Sequence, residues 1–495
     1  MRNQDRASHA GASSGLDLLL TKKTPARGLM VGPVNLRRLV ALLAMCAMSA
    51  GRNAALSNVQ ATAEHAPAVS SETTNAGPVR APTGLTNSDV ASRFANPLAP
   101  DAASRDGDRK SQSESRSEPR EVALLPPADD DDNAPPTTRR LERLKFRAAD
   151  VLYEVSGTVL VEAEDGGILL LGRDGRLWPI DKPDLVERVS TEFDFDLMKS
   201  QELAAVLRKE LGPGFEPTST THYLILSNTS REYARWCGAL FERLQTAFLS
   251  FWKQRGVDLE PTSAPMIAIV FKSQREFADF AARDAGATVA GTLGYYSITS
   301  NRIVLYDLSA TKDGAPATTP EEIEQRLSNA VFNVATVVHE ATHQIAFNSG
   351  LHTRYADNPQ WATEGMAMFF ETPDLRNRNG WRTIGAVNHE RLARFRDFVG
   401  KRRRNDSLRT LVANDERFLD ARQNLDAYAE SWALTFFLSK ARKEQYTTYI
   451  KTLRGKSQLF WDTPEQRLAD FTAAFGDDFE KLDREFLRYM SRPLR

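Results

Sequence analysis

Cysteine and histidine are both scarce in this chain, and each scarcity narrows what the protein can be. Two cysteines in 495 residues, Cys46 and Cys237, exclude a disulfide framework for the folded part. Seven histidines make any close pair of them informative. An excess of one charge is missing as well: 64 Lys and Arg against 65 Asp and Glu leave a net charge of −1, with no overall pull towards nucleic acid or an anionic membrane. The one basic run, Lys401-Arg402-Arg403-Arg404, reads as a solvated loop or helix end rather than a nucleic-acid patch. The length allows two or three domains and a core ample for one large one.

The apolar run from Leu39 to Ala50 is too short for a typical membrane span and right for the hydrophobic part of an export signal. Arg37-Arg38 precede it, Ala47 and Ser49 offer a cleavage site, and Met30 would give a signal of ordinary length. Residues 1–50 are therefore read as a targeting segment, the only part expected to meet a membrane. Lipid attachment at Cys46 is disfavoured by Met45 before it. Residues 51–140 turn to Ala, Ser, Pro, Arg and Asp with no sustained apolar period, and are expected to be a disordered tether.

Between 150 and 190, short apolar runs at 157–161, 168–171 and 177–180 alternate with Asp165-Gly166-Gly167 and Asp174-Gly175. These are hairpin signals and predict a small β-module. From 191 a larger body begins. Helices are expected at 197–211, from Ser230 to Trp252 and from Ser273, and strands at 222–226 and 266–271. A hairpin is expected from 294–298 and 302–306 around Ser300-Asn301. Thr319, Pro320 and Glu322 start a helix with a capping box, whose apolar period runs from Ile323 to Ile345 and stops at Gly350.

That helix carries His339-Glu340-Ala341-Thr342-His343. Positions i and i+4 of a helix project from nearly the same side, so the two imidazoles can hold one Zn²⁺ with the glutamate beside it as general base. With so few histidines, the chance expectation for such a match is on the order of 0.01. Catalytic zinc takes a third protein ligand and leaves a fourth position to water. Asn358 and Pro359 open a second helix, apolar and aromatic, in which Glu364 would be costly to bury without a cation. Gly365 beside it allows a close backbone approach. Glu371, one heptad on, competes as ligand but is better suited to support the site from the helix end. A histidine six residues after the second would signal a metzincin, and that position is Ser349. His352 is left as a loop residue, with Asp357 its candidate partner.

The string His339-Glu340-x-x-His343, followed by Trp361-x-x-Glu364-Gly365-x-Ala367, resembles the gluzincins, the thermolysin-like and M1-aminopeptidase-like clan of metallopeptidases. The longer pattern, reaching Tyr428-Ala429-Glu430-Ser431-Trp432-Ala433-Leu434, is similar to a bacterial peptidase-like family of unknown function. The resemblance implies zinc bound by His339, His343 and Glu364, with Glu340 as base. It also implies a downstream tyrosine or histidine as oxyanion donor, for which Tyr428 and His389 are the candidates. An edge strand beside the cleft would bind extended peptide, and the 294–306 hairpin is the candidate. The expectation is thus an α+β protein whose zincin-like domain spans 191–495, an exported zinc metallopeptidase, monomeric, acting on peptide or protein. The alternatives are a non-catalytic zincin-fold scaffold of the cell envelope, or zinc-assisted hydrolysis of a non-peptide amide or ester.

Overall fold

The computed structural model describes residues 139–148, 151–260, 262, 264–311, 313–328, 330–374 and 381–494. The targeting segment and nearly all of the 51–140 stretch lie outside them. Among the described residues no helix is long and apolar enough to cross a membrane. They form a mixed α+β structure of two five-stranded sheets and 13 helices.

The first sheet comprises β1 (Arg140–Ala148), β2 (Val151–Glu162), β3 (Ile168–Gly172), β4 (Leu177–Ile180) and β5 (Leu185–Asp194), antiparallel in the order β4-β3-β2-β1-β5. The three expected apolar runs form β2, β3 and β4. Strands β1 and β5 widen the sheet at one edge and lengthen the module in sequence, so it opens at Arg140 and closes at Asp194. They are hard to see in sequence because charge alternates through them. In β1 only Glu142, Leu144 and Phe146 are buried, while Lys145 faces Glu187 across the sheet at 3.0 Å.

The second sheet runs β6-β7-β8-β10-β9, built from β6 (Glu216–Ser219), β7 (Tyr223–Ser227), β8 (Met266–Phe271), β9 (Gly294–Ser297) and β10 (Arg302–Tyr306). The three central strands are parallel, with Tyr223 opposite Met266 and Ile267 opposite Arg302, and both edge strands are antiparallel. Parallel strands are covered on both faces, which explains the unbroken apolar runs of β7 and β8. Leu224, Leu226, Ile267, Ile269 and Val304 pack on α1 (Ser200–Leu211) and α3 (Gln274–Asp284). The alternate residues Tyr223, Ile225, Ala268, Val270 and Ile303 join the main core with α2 (Arg231–Lys253). Ser230 and Ser273 cap α2 and α3 as their sequence positions suggest.

The expected long helix before the histidines is broken. It divides into α4 (Pro320–Ser328) and α5 (Val331–Asn348), with Ala330 outside the helical region at φ −126°. The apolar spacing survives the break, so the period alone did not reveal it. At the start of α4, Thr319 caps Glu322, but the Glu322 carboxylate returns to the N–H of Thr318 rather than Thr319. Then follow α6 (Gln360–Phe370), α7 (His389–Lys401), α8 (Ser407–Ala413), α9 (Glu416–Leu419), α10 (Asn424–Ala441), α11 (Lys443–Arg454), α12 (Pro464–Phe475) and α13 (Phe479–Met490).

Helix α6 is buried along its whole length. Its closest support is α10: a Cβ on Gly365 would lie 2.6 Å from the carbonyl oxygen of Ser431 and 2.3 Å from Thr435 Oγ1. The basic run is only partly solvated. Lys401 and Arg404 are exposed, Arg402 pairs with Asp426 at 2.8 Å, and Arg403 is buried between Glu430 and Asp483. Arg417 closes the same network on Glu430 at 2.7 Å. The buried Glu430 carboxylate is thus held by two guanidiniums, and Arg403 serves the fold rather than the surface.

Candidate metal centre

Helix α5 places His339 and His343 one turn apart on a buried face, their ring centroids 4.8 Å apart and their Nε2 atoms 3.2 Å apart. Helix α6 crosses them with Glu364, whose Oε2 is 3.1 Å from His339 Nε2 and whose Oε1 is 3.5 Å from His343 Nε2. The three ligand atoms lie within 4.8 Å of one another, and all three side chains are buried. The expected triad therefore assembles, although Glu364 lies 25 residues from His339 in sequence.

The cluster sets a buried carboxylate against two facing imidazoles. Burial alone would depress the His339 ring, yet hydrogen bonds to Glu364 and Glu371 overcome it and hold its pKa at about 10. Burial alone would raise the Glu364 carboxyl, yet the two imidazoles pull it down to about 2. Without an ion, those shifts describe a positive His339 ring paired with the Glu364 carboxylate. With both rings neutral, as metal ligands are, the buried carboxylate and the facing Nε2 atoms need positive charge between them. A divalent ion among the three ligand atoms meets that need, so the residues present fit a metal.

Glu371 takes no place in the triad. Its Oε2 lies 3.3 Å from His339 Nδ1, behind the ring, and its Oε1 lies 3.6 Å from Arg391 in α7. Metal-binding imidazoles characteristically donate their second nitrogen in this way. Arg391 carried no sequence signal, since its link to Glu371 spans a loop.

Glu340 lies beside the triad. Its Oε2 accepts from the backbone N–H of Tyr296 in β9 at 2.8 Å, and its Oε1 is buried with no hydrogen-bond partner. Burial raises its carboxyl above the usual range, against the opposing pull of His339 and His343. Residue type could not have singled out Tyr296, because the group that matters is main-chain. The β9–β10 hairpin does form beside α5, with Asn301 in the left-handed region at φ 59°. Asn301 anchors it there: Asn348 donates to its Oδ1 at 2.8 Å, and Gln344 to its carbonyl at 2.8 Å.

The other candidates are placed as follows. Tyr428 is buried in α10, with its ring edge on Phe418 and its hydroxyl 3.4 Å from Gln360 Nε2, one turn ahead of Glu364. His389 starts α7 on the exposed surface. His352 is buried against Phe347, and neither ring nitrogen has a hydrogen-bond partner. Asp357 is not its partner, because both Asp357 oxygens are taken by Arg467 at 2.7 and 3.0 Å. Asn358 does not cap α6 either. It donates to the carbonyls of Thr353 and Ala356, while the first N–H of α6, at Gln360, is taken by Asp415 at 2.9 Å.

A family model described as a protein of unknown function (DUF1570) matches residues 333–459. That stretch runs from α5 to just past α11 and contains His339, Glu340, His343, Glu364, Glu371 and Tyr428. No curated protein matches the chain.

Proposed function

We propose that this chain hydrolyses peptide bonds, using zinc held by His339, His343 and Glu364. The observation that carries the reading is Glu340: a buried carboxylate outside the ligand set, with one oxygen fixed by Tyr296 and the other free. A purely structural zinc site is closed by four protein ligands and has no use for such a group. Two nitrogens and one oxygen from the protein, with a coordination position left over, suit catalytic zinc. The bound ion would supply Lewis acidity towards a carbonyl and acidify water at its open position.

The protein's own part follows from the side chains. The Tyr296 N–H holds the Glu340 carboxylate in one orientation. The free Oε1 takes a proton from the attacking water and delivers it to the leaving nitrogen. Glu371 fixes the tautomer of His339 and keeps Nε2 as the binding atom. Tyr428 is the oxyanion donor in this reading.

Purified protein supplied with zinc should be assayed on an unbiased peptide pool beside Glu340→Gln. Bound metal should be retained while turnover falls by roughly 10²–10⁴-fold. Turnover equal to wild type, or failure to bind zinc, would overturn the reading. Metal binding without any peptide cleavage by wild type would favour the non-catalytic scaffold.

A further inference from the structure

A second site lies away from the metal centre, in a cleft of about 650 Å³ formed by the later turns of α2, the end of α6, residues 381–384 and the end of α10. None of the metal-centre residues lines it. Its walls are aromatic, from Phe251, Phe369 and Trp381, and its charged groups are four cations, Arg243, Arg255, Arg382 and Lys440, against one carboxylate, Glu242.

Two of those cations lack a carboxylate among the described residues. The Arg255 guanidinium stacks 3.4 Å above the Phe251 ring and donates to the Phe251 carbonyl, while its Nε is buried without a partner. The Lys440 ammonium is exposed and lies over two ring faces, 5.8 Å from Phe369 and 5.6 Å from Phe436. Burial, and then the charge of Arg255, lower the Lys440 pKa; burial lowers that of Arg255. The carboxylate lining the cleft, Glu242, is already engaged by His222 and Thr220 at 2.7 and 2.6 Å. Partly buried Arg255 and exposed Lys440 thus line the same aromatic cleft with no carboxylate paired to either among the described residues. Ring faces compensate a cation only weakly, whereas an anion gives charge-assisted hydrogen bonds. The volume falls in the usual range for small-molecule sites.

We propose that this cleft binds a small organic anion, its charged head held by Arg255 and Lys440 and its aromatic or apolar body by Phe251, Phe369 and Trp381. The assignment stands independently of what the metal centre does. A macromolecule is a poor match to the short cationic stretch, and a bare inorganic anion would leave the aromatic walls unused.

The test is calorimetric titration of the full chain with phenylacetate and with phenyl phosphate, using phenylacetamide as the neutral control. The better of the two anions identifies the head as carboxylate or phosphate. It should bind at least about tenfold more tightly than the amide, and Lys440→Gln should cost a further loss of about tenfold. Lys440 is exposed at the end of α10, so this variant keeps its fold and the result is readable even if Arg255→Gln is unstable. Equal binding of the amide, or no binding of either anion, would overturn the proposal. So would anion binding that survives Lys440→Gln unchanged, the result expected of an anion taken up at the metal centre.

Discussion

Glu371 Oε2 lies 3.3 Å from Nδ1 of His339, while Nε2 of the same ring lies 3.1 Å from Glu364. One imidazole thus stands between two carboxylates, and in the proposed reading their tasks differ: Glu364 would share the ion, and Glu371 would set which nitrogen faces it. The Arg391 guanidinium 3.6 Å behind Glu371 holds that carboxylate in place. Glu371→Gln should therefore weaken metal affinity by about 10–100-fold without removing a ligand. Competition against a chelator of known affinity measures this. Affinity equal to wild type would show that Glu371 has no role in orienting the ring.

Gly365 sits where α6 and α10 touch. A methyl group there meets the Ser431 carbonyl at 2.6 Å, and backbone cannot swing aside as a side chain would. Overpacking of this kind costs roughly 1–3 kcal/mol. The gain in helix propensity from Gly to Ala returns at most about 1 kcal/mol. Gly365→Ala should therefore lower Tm in a thermal melt. Because the displaced helix carries Glu364, metal affinity should fall with it. An unchanged Tm would mean that the two helices can separate without loss.

The buried His352 ring is held neutral, its pKa pushed down to about 3 by burial first and by the charge of His343 second. The unfolded chain titrates this group near the ordinary value of about 6.5. Between those values the unfolded state binds the extra proton, so the group's contribution to stability is present above about pH 6.5 and is lost as pH falls towards about 3. His352→Phe keeps a ring against Phe347 and removes the titration. Its stability should fall less steeply with acid, by up to about 1.4 kcal/mol per pH unit within that window. Denaturant melts of both proteins between about pH 7 and 4 would show parallel curves if His352 were in fact protonated in the fold.

What could be read in the sequence was what is local in it. Ser230 and Ser273 each cap a helix through a residue three positions on, and the β7 and β8 runs declare two-faced burial by composition. His339 and His343 share a helix, and Glu364 betrays itself as a carboxylate among aromatic residues. The features that escaped are held from a distance. Asp415 supplies the cap of α6 from 55 residues away, and Arg467 takes Asp357 from 110. The hold on Glu340 comes from a main-chain N–H of Tyr296, which no residue type can signal. The break near Ala330 escaped for another reason: Ile323, Leu327, Val334 and Val338 on its two sides still pack into one core.

The β-module looks in sequence like an appendage, but its contacts run to the segment that holds Glu340. The half-buried Arg354 guanidinium donates to the carbonyl of Gly175 in the β3–β4 turn at 3.1 Å and to that of Ile298 in the β9–β10 hairpin at 3.3 Å. Beside it the Leu177 N–H donates to the Thr299 carbonyl at 2.9 Å, and the Tyr355 hydroxyl meets Thr299 Oγ1 at 2.9 Å. Arg354 meets carbonyl oxygens in these bonds, and burial lowers its pKa. Hydrogen bonds from a charged donor contribute about 1.5–3 kcal/mol each, and leaving the carbonyls bare adds to the loss. Arg354→Met should therefore destabilise the protein by roughly 2–4 kcal/mol. Amide hydrogen exchange should rise at Leu177 and at Tyr296 together, since one guanidinium ties both turns. Faster exchange at Leu177 alone would mean that the module docks on the hairpin without stiffening it, and that Tyr296 is held on Glu340 by Asn301 and Gln344 instead.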